Sequence, residues 1–237
     1  MSTNINYYFK NLDKFPFPGL MKEAVGTWEI LSKAKELLKE LIEEPNVREM
    51  RGENRGGETT FHGNYFVDEG TVIYNDVTII GPVYIGKNVE IMPGAIIRPY
   101  TIIGDGCSVG HGSELKRCIM FSGSKVASLA FVGDSVLGAS ARIGSGVITA
   151  NRKFNQTNAN IKLDGKNYDL GDSYFGLIIG DSSRMGANAV SQPGTHIGPY
   201  TWIYPMTCVR GFIPGGKRVY AKAELVYEEN EIVELKP

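Results

Sequence analysis

Arg98 and Lys116 stand eighteen residues apart, a spacing that could do chemistry if the chain returns to the same place once per eighteen residues. In a parallel β-coil of that pitch they would stack on one corner, about 4.7–4.9 Å apart. Two cations that close repel each other unless an anion lies between them. A phosphate or carboxylate suits the gap, the arginine offering a fork and the lysine a point charge. The same two side chains could instead splay into water over Glu114 or Asp105. His111, within the same stretch, is of the residue type best placed to remove a proton near neutral pH. A solvated turn histidine is the alternative there. His196 reads as an outward-facing surface residue, and His62 precedes the patterned region. Three histidines could in principle hold zinc, but their spacing gives that no support, and no metal is expected.

Such stacking needs an eighteen-residue coil, and the sequence supplies one. From Ile73 the chain divides into blocks of six: IYNDVT, IIGPVY, IGKNVE, IMPGAI, IRPYTI, IGDGCS, VGHGSE, LKRCIM, FSGSKV. The first position is apolar in all nine, from Ile73 to Phe121, and the fifth is mostly small or β-branched. Neither a 3.6-residue helix nor a plain two-residue strand has this period. A strand-and-turn coil does, with each sixth side chain plugging the interior and three blocks making one turn. The frame slips twice, Val126 following Phe121 by five residues and Leu137 following Val132 by five. After LGASAR and IGSGVI, residues 149–178 leave the pattern, with IKLDGKNYDLG reading as a hairpin around Asp164-Gly165. The repeat resumes at IGDSSR from Ile179, and only Ser191 breaks its first position. The 29 glycines are spread evenly, as a turn-rich repeat requires.

The flanks read differently. Residues 20–43 place Leu31, Leu37, Leu38, Leu41 and Ile42 among Lys and Glu, an amphipathic helix stopped by Pro45. Its expected role is a cap, since solenoid ends need covering. GENRGGET (52–59) reads as a flexible linker, and the tail from Val219 as one or two capping strands. The expected organisation is therefore a helical segment and linker over 1–60, a β-helix over 61–214 with its insertion at about 149–178, and a strand cap over 215–237. A net charge of −1 gives no basic field for nucleic acid or anionic membrane. The chain lacks an apolar run of about 18 residues and the order of a signal peptide, so a cytoplasmic setting is expected. Cys107, Cys118 and Cys208 lack the pairing of a disulfide framework or thiolate metal site.

IRPYTIIGDGCSVGHGSELK, GSKVASLAFVGDSVLG and IGSGVITAN resemble the left-handed parallel β-helix acyltransferases. They are similar in particular to the acetyltransferase half of the bifunctional glucosamine-1-phosphate acetyltransferase/N-acetylglucosamine-1-phosphate uridyltransferase, and to shorter chains related to sugar-phosphate nucleotidyltransferases. The resemblance spans about residues 80–210. It implies the left-handed coil, a homotrimer, and acetyl-CoA and a sugar-phosphate acceptor held in grooves between coils. It also implies that Arg98 and Lys116 hold the sugar phosphate and that Asn151 is an active-site asparagine. Ser128 stands where the family has its general-base histidine, Phe131 where a sugar-contacting tyrosine sits, and Arg142 where the pocket has an asparagine. Coenzyme A would then pass Ser145, Gly146, Gly186 and Ala187, with Arg210 near its phosphates. Counting blocks through the slip puts His111 beneath Ser128, so His111 is a candidate relocated base, positioned by the serine. Two functions follow: acyl transfer from a CoA thioester to an amine or hydroxyl of a phosphorylated or nucleotide-linked sugar, or non-catalytic binding of such a sugar.

Overall fold

The computed structural model describes residues 3–10, 12, 15–19, 26–222 and 224–227. It is a left-handed parallel β-helix whose wall is three parallel sheets of nine, nine and eight short strands. Each coil visits the sheets in turn, here faces I, II and III. The first coil uses Arg48–Met50, Glu53–Asn54 and Thr60–His62. Residues 52–59 are thus already in the wall, where the composition suggests a linker. Pairing with Val72–Ile73 in the coil above recruits Glu53–Asn54 despite the nearby glycines.

Each strand of two or three residues points one side chain inward, or two as in Val83–Ile85 and Leu177–Ile179, and the inward residues form a single buried column from Val67 to Val209. Ser191 occupies one such place, and its hydroxyl is the one buried side-chain polar atom without a hydrogen-bond partner among the described residues. The first frame slip falls one block earlier than the apolar pattern suggests. Ile103 pairs with Met120, so Met120 fills the interior. Phe121 turns outward and stacks on Phe9 and Phe15, at 4.8 and 4.6 Å between ring centroids.

The three faces differ in what they present outward. Face I carries Phe66, Tyr84, Ile102, Ile119, Val136, Ile178, His196 and Phe212 in one unbroken column. Apolar residues on both sides of a strand need a second layer. That layer is the N-terminal segment, with helix Ile30–Leu38, and the antiparallel hairpin Asn160–Leu163/Lys166–Asp169 of the insertion. Helix residues Ile30, Leu31, Ala34 and Leu38 are buried there beside Ile161, Leu163, Leu170 and Phe175. The helix continues as a wider π-turn over Lys39–Glu43 and stops before Pro45. Leu41, expected on its apolar side, is exposed. Residues 20–25 of the expected helix, and Ala223 and 228–237 of the expected terminal cap, lie outside the described residues.

His196 corrects a sequence reading. It does face outward from the coil, but the second layer buries it completely. Its Nδ1 lies 3.0 Å from the Gly194 carbonyl, which can only accept, so Nδ1 carries the proton. Nε2 then accepts from the Thr27 hydroxyl at 2.9 Å. Burial pushes its pKa down to about 4.

From Phe61 onward the inward residues on successive faces are six apart at every I–II and II–III edge. All departures fall at the III–I edge: five residues from Leu115 to Met120 and from Val132 to Leu137, thirty from Thr149 to Ile179, four from Val209 to Ile213.

Candidate functional site

The predicted residues divide between two places. The first is the III–I edge. Face III sets Ile97 beside Leu115, which stacks Arg98 on Lys116 as the spacing requires. Each cation, however, has a carboxylate of this chain. Arg98 Nη1 is 2.7 Å from Glu114 Oε1, and Lys116 Nζ is 3.3 Å from Asp134 Oδ2. Of the two acids weighed from sequence, Glu114 is used; Asp105 instead accepts from the Lys87 amide.

Asp134 is the centre of this edge and was not legible from the repeat. Its side chain is almost wholly buried, and it accepts from Arg117 Nε at 2.5 Å and Asn151 Nδ2 at 2.5 Å as well as from Lys116. Arg117 also binds Asp172 Oδ2 at 2.6 Å and the Tyr174 carbonyl, both on the insertion. Burial pushes the Asp172 carboxyl up, but the Tyr174 amide and Arg117 outweigh it and hold the carboxyl below the usual range. The Tyr174 ring lies 4.2 Å from Lys116 Nζ. Gly133 leaves room for Asn151: a Cβ there would sit 2.7 Å from Asn151 Nδ2. Phe131, half-buried on face III, flanks the same gap and pairs in register with Glu114 and Ile148.

The second place is an open groove of about 720 Å³ along face II. It brings together four predicted residues: His111, Ser128, Arg142 and Gly186. Val109 pairs with Val126, so His111 and Ser128 occupy the same corner of adjacent coils, with a Leu129 amide to His111 carbonyl bond of 2.8 Å between them. His111 Nδ1 is 2.7 Å from the Pro93 carbonyl. A carbonyl only accepts, so Nδ1 carries a proton, and in the neutral ring the lone pair is on Nε2. That is the tautomer a general base requires. Ser145, Gly146 and Ala187 lie at the adjoining II–III edge; Gly146 has φ +69°, and a Cβ there would meet Asn188 Oδ1 at 2.1 Å. Arg210 is exposed, just past the last face III strand.

The groove also contains residues that sequence reading passed over: Lys125, Arg184 and Trp202. The signal was available, because each stands immediately before an inward residue, Val126, Met185 and Ile203. That position faces outward on face II.

Coil, groove and stacked corners define the fold class, a hexapeptide-repeat left-handed β-helix. Within it, the kinship in sequence is to bifunctional sugar-phosphate enzymes. The family described as "GMPPB C-terminal domain" matches residues 79–164. A "Bifunctional sugar-1-phosphate nucleotidylyltransferase/acetyltransferase" of Sulfurisphaera tokodaii is 35% identical over 113 residues, 48% of this chain and 28% of that protein. A "Bifunctional protein GlmU" of Methanococcus maripaludis strain C5 is 34% identical over 199 residues, 84% of this chain and 47% of that protein. The chain therefore spans less than half the length of these relatives. Among solved structures, the Arabidopsis UDP-N-acetylglucosamine acyltransferase aligns with a TM-score of 0.46 and 14% identity, covering 72% of this chain and 66% of that one. Among the described residues there is no group of metal-ligating side chains, and no helix is long and apolar enough to cross a membrane.

Proposed function

We propose that this protein transfers an acyl group, acetyl in the simplest case, from a CoA thioester to an amine or hydroxyl of a phosphorylated or nucleotide-linked sugar. The observation that carries the reading is His111, held by the Pro93 carbonyl in its base tautomer and lining the groove one coil from Ser128. An acceptor amine attacks the thioester carbonyl while His111 Nε2 takes its proton. Collapse of the tetrahedral intermediate expels the thiolate, which takes that proton from His111 and leaves as coenzyme A. The backbone N–H groups of Ser145 and Ala187 are the assigned donors to the oxyanion and the pantetheine arm; Gly146 and Gly186, whose N–H groups bond the Ser128 and Ile203 carbonyls, are assigned to its close approach. Arg210 is assigned to the coenzyme's phosphates. Arg98, Lys116, Phe131, Arg142 and Asn151 are assigned to the acceptor, an anionic group of which would compete with Glu114 and Asp134 for the two cations. The similarity to a sugar-1-phosphate nucleotidylyltransferase/acetyltransferase supports this class.

The groove and the III–I edge lie on different parts of one coil, so a site that uses both needs a second copy. A homotrimer is the assembly proposed. Half-exposed apolar residues on face III, Ile96 and Ile148, support it as surface that a neighbour would cover. Three cysteines without a disulfide among the described residues suit a cytoplasmic setting.

Non-catalytic sugar-phosphate binding is favoured by one observation, the serine at position 128. Thiol release from acetyl-CoA with glucosamine 1-phosphate and related acceptors separates the two. Turnover is expected, and His111→Ala should lower kcat by about a hundredfold or more while acceptor binding persists. Acceptor binding with no CoA affinity would sink the enzyme reading; His111→Ala at full turnover would sink the assignment of His111 as its base.

A further inference from the structure

Face II carries a charge pattern that neither the repeat nor the acyl-transfer chemistry demands. Its outward column reads Glu53, Val72, Glu90, Ser108, Lys125, Arg142, Arg184, Trp202, Arg218 in consecutive strands. Lys125, Arg142 and Arg184 are direct neighbours, and none forms an ion pair among the described residues. Like charges directly opposite on paired strands oppose folding. With strands about 4.8 Å apart, three cations span about 10 Å of groove wall. Glu90 is the one carboxylate lining the groove among the described residues, and it sits two strands from Lys125, beyond Ser108.

The contrast with the III–I edge is informative. There Arg98, Lys116 and Arg117 each have an acid within 3.3 Å. On face II the cations are stacked more deeply and left without one. Arg184 is also steadied from above: its guanidinium and that of Arg218 lie 5.9 and 5.7 Å from the Trp202 ring centroid. An aromatic face that holds a guanidinium leaves its N–H fork free for an anion. Met92, Pro93 and Pro205 line the same groove.

We infer that Lys125, Arg142 and Arg184 form a site for a diphosphate ester, the linkage of a nucleoside-diphosphate sugar acceptor. One carboxylate or monophosphate spans too little of the column to answer three charges; a diphosphate places two anionic groups along it. The assignment rests on the acyl-transfer reading in that Ser128 and His111 share the groove, which sets a diphosphate-linked sugar beside the base.

The test is calorimetric titration of the full chain with UDP, UMP and acetyl-CoA, using wild type, Arg142→Ser/Arg184→Ser, and the charge-keeping Arg142→Lys/Arg184→Lys. UDP should bind wild type about tenfold or more tighter than UMP, and the serine pair should lose about tenfold or more for UDP. The lysine pair should recover part of that loss, and acetyl-CoA affinity should be the same in all three proteins. Unchanged UDP affinity in the serine pair overturns the site. An equal loss for acetyl-CoA overturns the acceptor assignment, since the column would then hold the coenzyme's own diphosphate. If UDP binding follows the column while acetyl-CoA binds none of the proteins, the diphosphate site stands and acyl transfer falls.

Discussion

Protonating His196 means placing a charge inside a closed apolar layer, between the rings of Tyr8 and Phe175 and with both ring nitrogens already bonded. Burial holds its folded pKa at about 4, below its ordinary value of 6.5. Above pH 6.5 neither folded nor unfolded chain binds the proton, and the histidine is neutral toward stability. As pH falls through 6.5 the unfolded chain takes up a proton that the folded chain refuses until about pH 4. Stability therefore drops across that window, by up to about 3 kcal/mol from this one group. Thermal midpoints from pH 7 to pH 4.5 should show the decline, and His196→Gln should flatten it. An identical slope in the variant would assign the effect elsewhere. The position was misread from sequence because an outward site on a repeat ordinarily meets water, and nothing local to SQPGTH announces the layer above it. The clue lay in the company it keeps: its register neighbours Ile178 and Phe212 are apolar too.

At the scale of elements, the insertion packs its apolar side on face I and has a polar tie to the coil through Arg117, which Asp134 holds. Asp134 holds Lys116, Arg117 and Asn151, and Arg117 in turn holds Asp172 and Tyr174. Removing the acid takes one of two carboxylates from the partly buried Arg117 and the partner from Lys116, so Asp134→Ala should cost about 3 kcal/mol in chemical denaturation. Limited proteolysis should then open the 150–176 segment faster than in wild type; equal rates would show that the hairpin's apolar packing alone secures it. The hairpin was legible, since Asp-Gly between alternating residues is a strong local signal. Its anchor was not, because Asp134, Asn151 and Asp172 are joined across an edge of irregular length, where period counting loses register. The slip itself was ambiguous for a related reason. Met120 and Phe121 are both apolar, and only the aromatic partners Phe9 and Phe15 decide which of them turns outward.

For the whole molecule, the interior column was legible because it is the same environment repeated, so each block reports on all the others. The unlike dressing of the three faces was harder to see, since it emerges only after every third block is gathered into one column. Face I is sealed, face II is charged, and face III is left with half-exposed Ile96 and Ile148. If face III meets a second copy, Ile148→Glu should shift the protein toward monomer in sedimentation, while melting near the wild-type temperature. Unaltered sedimentation would move the interface to another face. All irregular lengths beyond Phe61 are confined to the III–I edge. That edge acts as the seam of a tailored sleeve: cloth is taken in or let out there, and the pattern printed on the remaining panels stays aligned. Residues 142 and 184 are neighbours for this reason, although 41 others separate them in sequence. A loop grafted into the seam would leave the printed columns of faces II and III where they are.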